Sequence, residues 1–189
     1  MLRELRSVGD RYGLPVYTAF ADAYTACWNA TPDTIGSLMQ SGSLVRDGFG
    51  FKATTIYATL LRKSALELAA GRPVDALSTA EHSLDWIRTQ GERLFEAEAL
   101  RVRGDALRAL GDPDGAEASY RSAVAVAREQ GARLFELRTV IALSRLQHSL
   151  GRTDDARTDL AVMVAQIDDD CVDRQEASQL LTELMLGVT

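Results

Sequence analysis

The chain has 189 residues, of which 46% are hydrophobic and 25% are charged, a composition typical of one folded domain or one short repeat array. Its formal net charge of −6 argues against nucleic-acid binding, which requires a basic surface. Without a long apolar run or a signal-peptide pattern, and with two widely separated cysteines, Cys27 and Cys171, the sequence predicts a cytoplasmic protein with free thiols.

Residues 1–12 are predicted to form a partial helix that ends at Gly13, as the second helix of a helix pair would end. No first helix precedes it, so we interpret the chain as starting inside a repeat. It would then be a truncated form, the product of a split gene or a short stand-alone relative. An open N-terminal end of this kind favours homodimerisation or capping by another chain.

The rest of the chain is repetitive, with an offset of 40 residues. Nine of 26 positions are identical between GERLFEAEALRVRGDALRALGDPDGA (91–116) and GARLFELRTVIALSRLQHSLGRTDDA (131–156). A period in this range is typical of a solenoid of stacked helical units. We therefore predict four repeats and a C-terminal capping helix, with the boundaries 13–50, 51–90, 91–130, 131–170 and 171–189.

Each repeat is predicted to contain two antiparallel helices. In the third repeat, apolar residues recur at helical spacing over residues 92–110 and again from Pro113 to Gln130. Gly111 suits a left-handed helix end, and Asp112 suits the N-cap of the second helix. Small residues are expected where paired helices approach closely, namely Ser64, Gly104 and Ser144 on first helices and Ala76, Ala116 and Ala156 on second helices. The predicted fold is all-α, with about four helix pairs in a right-handed superhelical array.

This pattern resembles the tetratricopeptide repeat, in which a small residue, a large one, a Gly-Asp turn, an alanine, an aromatic residue and another alanine follow at set spacing. The matching residues are Gly104, Leu107, Gly111, Asp112, Ala116, Tyr120 and Ala123. The other copies depart from it, because Ala80 and Leu160 replace the aromatic residue. The period also departs, being 40 residues rather than 34.

Residues 91–146 and the tail DRQEASQLLTEL (173–184) also resemble the C-terminal repeat region of bacterial proteins that join an AAA/STAND-type ATPase to a class III adenylate cyclase or a LuxR-type DNA-binding domain. This resemblance implies a non-catalytic protein- or peptide-binding scaffold, the sensor or interaction arm of a signalling or transcriptional regulator. A small-molecule effector-binding sensor is the alternative. The ATPase itself is not indicated, because the chain has no GxxxxGK[ST] loop.

The best candidate site is a stripe of residues on the first helices. In the third repeat, the helical spacing places four residues on one face, Glu98, Arg101, Asp105 and Arg108. The equivalent residues of the next repeat are Arg138, Ile141, Arg145 and His148. Those of the preceding repeat are Ala58, Leu61, Ala65 and Leu68. By the tetratricopeptide resemblance, these positions line a concave groove.

Two interpretations of the stripe are open. The arginines could bind a partner's carboxylate or phosphate bidentately, in a groove that grades from apolar to basic and suits an amphipathic segment with an acidic end. Alternatively, the stripe is a solvated face on which Arg101 and Arg108 pair with Glu98 and Asp105. The first interpretation predicts that reversing Arg101 and Arg145 to glutamate abolishes partner capture and leaves the melting temperature nearly unchanged.

No catalytic, metal or cofactor site is predicted. The two histidines, His82 and His148, fall in different repeats and belong to no cluster with metal-ligand spacing. The acidic run IDDDCVDRQE (167–176) lacks the alternating ligands and the glycine of a calcium loop. We interpret it as a solvated loop before the last helix, whose N-terminus favours nearby aspartates.

Overall fold

A computed structural model of the chain describes residues 2–13, 52–167 and 171–187, and all regular structure in these ranges is helical. The helices are α1 (Leu2–Tyr12), α2 (Lys52–Ala69), α3 (Pro73–Gln90), α4 (Glu96–Ala109), α5 (Pro113–Glu129), α6 (Arg133–Ser149), α7 (Thr153–Gln166) and α8 (Val172–Leu186). The predicted all-α fold is confirmed. Apart from Gly13, the predicted repeat 13–50 lies outside the described residues, as does Cys27.

The chain divides into two compact units, residues 1–95 and residues 96–189. In the first unit, α2 packs against α3. In the second unit, each helix from α4 to α7 packs against the helix that follows it. The first helices of successive pairs also touch directly, because α4 contacts α6 and α6 contacts α8. The second unit is therefore a stack of helix pairs in which α4, α6 and α8 form one layer.

The helix ends of the third repeat follow the sequence signals at one boundary and depart from them at the other. Gly111 has φ +79°, the left-handed conformation that glycine tolerates best, and the Asp112 carboxylate accepts a hydrogen bond from the Gly115 N–H at 2.9 Å. The first helix, predicted over residues 92–110, begins only at Glu96.

The core of the second unit lies between the two helix layers. Leu137, Val140 and Ile141 on α6 pack in one cluster with apolar residues of α5, α7 and α8. The cluster members from α7 and α8 include Leu160, Met163, Ala177 and Leu180. The last helix is therefore held by the same apolar contacts as the helices before it, which bury its inner face.

Paired helices approach most closely at the predicted small residues. A Cβ atom on Gly104 would lie 2.5 Å from Cε1 of Tyr120, whose side chain is fully buried. At the equivalent places the Ser64 hydroxyl donates to the Ala76 carbonyl at 2.8 Å, and the Ser144 hydroxyl donates to the Ala156 carbonyl at 3.3 Å. The copies that carry serine have alanine or leucine where the glycine copy has tyrosine. The copy with the smallest residue on the first helix therefore has the largest residue opposite it on the second helix.

Gly104→Ser is expected to destabilise the protein by about 2 kcal/mol, because the added atoms overlap a tyrosine ring that cannot move. In a Tyr120→Leu background, which reproduces the pairing of Ser144 with Leu160, most of that cost should disappear. The measurement is a double-mutant cycle on the free energy of unfolding in urea. Ser122→Ala, at an exposed position of α5, is the control and should change stability by less than about 0.5 kcal/mol. Equal costs of Gly104→Ser in both backgrounds would contradict the packing argument.

A set of ion pairs links α5 to the start of α7. The Glu117 carboxylate accepts hydrogen bonds from Arg152 at 3.1 Å and from Arg121 at 2.7 Å. The hydrogen bond from Arg152 is the main cause that lowers the pKa of Glu117 to about 2. Because the pKa of Glu117 is lower in the folded chain than in the unfolded chain, its charge stabilises the fold fully at pH values above the unfolded-state pKa. This stabilisation is lost as the pH falls through the folded-state pKa.

The stability advantage of the natural chain over Glu117→Gln is therefore expected to shrink as the pH falls from about 5 toward 2. At neutral pH the advantage should be about 1 kcal/mol, since both arginines are partly exposed and solvent screens the pairs. Urea unfolding of the two proteins near neutral pH and in acid measures this difference. A difference that does not change with pH would show that Glu117 contributes by packing and not by its charge.

Candidate functional site

The predicted stripe on α4 forms a closed ion-pair network. Arg101 binds Glu98 through two hydrogen bonds, of 2.9 Å from Nε and 2.7 Å from Nη2, and it binds Asp105 through Nη1 at 2.6 Å. The second oxygen of Asp105 accepts the Tyr120 hydroxyl of α5 at 2.6 Å. All three charged side chains are half-buried. The network therefore joins α4 to α5.

The electrostatics of this network raise the pKa of two of its members, Arg101 and Tyr120. Burial by itself lowers the pKa of Arg101, but the hydrogen bond and charge of Glu98 and the charge of Asp105 outweigh it, so the net pKa is raised. Burial, and then the negative charge of Asp105, raise the pKa of Tyr120. Tyr120 remains a hydrogen-bond donor and Arg101 remains charged. For Arg101, the structure agrees with the alternative interpretation, in which it pairs with its helix neighbours.

The arginines of α6 pair with the last helix. Arg138 binds Asp173 at 2.8 Å, and Arg145 binds Glu176 at 2.8 Å. Both arginine side chains remain partly exposed at the surface of the layer. His148 lies 2.9 Å from the Thr153 hydroxyl, so it links the end of α6 to the start of α7.

Two of the predicted groove residues, Leu61 and Ile141, are buried, so a partner could not reach their side chains in this structure. Ile141 is 4% exposed and belongs to the core cluster, because α8 covers this part of α6. Leu61, in the first unit, is 7% exposed. Ala65 and Leu68 are half-buried, and the side chain of Ala58 lies outside the described residues. The predicted gradient from apolar to basic runs from one unit to the other and stays a prediction.

Three arginines of the stripe are accessible in the second unit: Arg108, Arg138 and Arg145. Helical spacing predicts one shared face for the arginines of each helix, and their role in partner binding stays a prediction. The spacing could not reveal that α8 supplies Asp173 and Glu176 as partners, because those contacts join residues 31 to 35 positions apart. The accessible surface is therefore narrower than the predicted one and carries charges of both signs.

A second polar cluster was not predicted. The carboxylate of Glu136, only 3% exposed, accepts Arg128 Nε at 2.6 Å and Arg133 Nη1 at 3.4 Å. The same Arg133 amino group donates to Gln166 at 3.0 Å. A signal for this cluster was available, because RTQGERLFE (88–96) and REQGARLFE (128–136) repeat both arginines and the glutamate at the same spacing. Helical periodicity does not indicate this cluster, because its residues lie in two helices on either side of a turn.

Within residues 2–13, 52–167 and 171–187, no three His, Cys, Asp or Glu side chains come together as a metal site would require. Cys171 is a free, half-buried thiol there. The central part of the predicted acidic run, residues 168–170, lies outside the described residues. None of the helices in the described ranges combines the length and the apolar character that crossing a membrane demands.

Comparison with known families agrees with this architecture. Residues 55–129 match one family model of the tetratricopeptide repeat, and residues 137–158 match another. The chain therefore carries a tetratricopeptide-like repeat region, which includes most of α2 to α6. Repeats of this kind are in general protein-interaction scaffolds without catalytic activity. A search of curated proteins gives no match.

Arg101→Met is expected to lower the free energy of unfolding by about 2 kcal/mol, because it leaves two half-buried carboxylates without their counter-charge. Arg108→Met, on the same helix but exposed, is the matched control and should change stability by less than about 0.5 kcal/mol. Urea unfolding measures both. Charge reversal of Arg101 should cost still more, contrary to the sequence-based expectation of an unchanged melting temperature. Equal effects of the two methionine substitutions would contradict the network's structural role.

Proposed function

We propose that this chain is a non-catalytic scaffold that binds a protein or peptide, and that it acts as the sensor or interaction arm of a bacterial signalling or transcriptional regulator. The observation that carries the proposal is the tetratricopeptide match over α2 to α6. The regulator context comes from the resemblance of residues 91–146 and 173–184 to the repeat regions of ATPase-coupled regulators. A cytoplasmic location and homodimerisation through the N-terminal end belong to the same proposal.

The layer formed by α4, α6 and α8 is the proposed binding surface in the second unit. Arg108 is exposed there. Arg138 and Arg145 form ion pairs with carboxylates, and both members of each pair are partly exposed. Exposed ion pairs contribute little to stability, about 0–1 kcal/mol each. An incoming carboxylate can therefore replace Asp173 or Glu176 at low cost. This exchange would make the surface selective for acidic segments without leaving unpaired charge in the free protein.

A small-molecule sensor is the second candidate, and the place where an effector would bind in the second unit is a cavity of about 340 Å³. This volume lies at the small end of the range for ligand sites. A small effector that binds the folded chain would raise its melting temperature when added alone, by mass action. A peptide-binding arm would need its macromolecular partner for the same effect. Thermal unfolding with pools of host metabolites separates the two candidates.

Partner capture from a lysate of the native host tests the scaffold directly. The combined variant Arg108→Gln, Arg138→Gln and Arg145→Gln should reduce a stoichiometric partner at least tenfold, because it removes the accessible donors of the first-helix layer. The control Arg121→Gln with Arg157→Gln removes exposed arginines from the second helices α5 and α7 and should retain capture within about twofold. The melting temperatures of all three proteins should agree within a few degrees. Capture that is lost equally in both variants would contradict the proposed surface.

A further inference from the structure

The cavity of about 340 Å³ opens where α5 ends, α6 begins and α7 ends, away from the predicted stripe. The residues that line it are Arg128, Gly131, Arg133, Glu136, Val162 and Gln166. Glu136 is the one buried member of this set, and both arginines are mostly exposed. The cavity is therefore a surface site in which two exposed arginines bind one buried glutamate.

Glu136 holds the two guanidinium groups in place. A carboxylate this deeply buried is stable only when it is paired and hydrogen-bonded, and Arg128 and Arg133 supply both requirements. The two guanidiniums are thereby drawn together at one carboxylate, although their residues belong to different helices. Gln166 restrains Arg133 further, from the end of α7. This arrangement lowers the side-chain entropy that the arginines would lose on binding a ligand.

The cluster keeps one positive charge in excess, because two arginines face one glutamate. Arg128 bonds Glu136 through Nε, so within the described part of the chain its two terminal amino groups are not used in this ion pair. Arg133 likewise uses Nη1 for both of its bonds. Both arginines line the cavity, and so does Val162, whose side chain is apolar and exposed. A planar fork with a net positive charge is suited to a carboxylate with an aliphatic stem.

We propose that this cavity binds a carboxylate of an acidic peptide segment carried by the protein partner. The inference rests on the proposed function for the class of partner and adds the partner's chemistry. The volume accommodates one or two side chains, and the opening to solvent lets the peptide continue beyond the site. A free metabolite is a poorer fit, because pockets for small molecules usually bury most of the ligand surface.

Nuclear magnetic resonance of the side-chain Nε–H groups of arginine in the full ¹⁵N-labelled chain tests the proposal. The probes are a tetraglutamate peptide with an amidated C-terminus, and a tetraglutamine peptide with either a free or an amidated C-terminus. Tetraglutamate is expected to shift the Arg128 and Arg133 signals saturably, while Arg157, an exposed arginine of α7, should not shift. Binding of only the free-ended tetraglutamine would show recognition of a terminal carboxylate and would overturn the assignment to acidic side chains. No saturable shift, or an equal shift at Arg157, would overturn the proposal.

Substitutions at Val162 test the site without touching its ion pairs. Val162→Glu places a carboxylate at the cavity lining and should weaken binding of the effective peptide about tenfold by like-charge repulsion. Val162→Gln, of the same shape, should stay within about twofold of the natural chain. Both side chains replace an exposed residue, so neither variant should fail to fold. Equal affinities of the two variants would overturn the proposal.

The capture experiment separates this inference from the proposed function. Partner capture that is indifferent to Val162→Glu but lost when Arg108, Arg138 and Arg145 become glutamine would overturn the inference and leave the proposed function intact. Peptide binding at Arg128 and Arg133 with no captured protein would contradict the proposed function instead. A partner lost with Val162→Glu and kept with Val162→Gln is the expected result.

Discussion

Close contact between the two helices of each pair is the constraint on which the rest of the structure depends. At Gly104 the contact has no room for even one more carbon atom, because the fully buried Tyr120 ring occupies it. The equivalent positions use Ser64 and Ser144, whose hydroxyls bond a carbonyl of the partner helix. This contact recurs every 40 residues, and it explains why the sequence can vary elsewhere while its small residues keep their spacing.

The charged residues then decide which surfaces are available for binding. Arg101 is satisfied by Glu98 and Asp105, so it stabilises the pair formed by α4 and α5. Arg138 and Arg145 are paired with α8 but remain partly exposed, and the proposed function has a partner compete for them. The cluster at Glu136 combines both roles, since its carboxylate is buried while its arginines are exposed. The same kind of ion pair therefore stabilises the helix packing where it is buried and stays accessible to solvent where it is exposed.

Much of the fold could be predicted from sequence because its signals are local. The left-handed Gly111, the cap at Asp112 and the helical spacing each depend on a few neighbouring residues. The candidate site was harder to predict, because accessibility depends on what packs over a face. Ile141 and Arg138 lie on adjacent turns of α6, yet α8 covers the first and leaves the second partly open. The Glu136 cluster joins three helices, and no periodicity within one helix could reveal it.

The proposed function gives the partner its main binding surface on the layer of first helices, and the cavity at Glu136 would hold one acidic residue of the same partner where α5 and α7 end. Site-specific photo-crosslinking in a host lysate tests the main binding surface most directly, with a benzophenone side chain in place of Arg145 on α6 or, separately, of Arg157 on α7. These positions are similarly exposed, at 47% and 42% of the side chain, so accessibility alone does not distinguish them. We expect a crosslinked protein partner from position 145 and none from position 157. A partner crosslinked only from position 157 would contradict it.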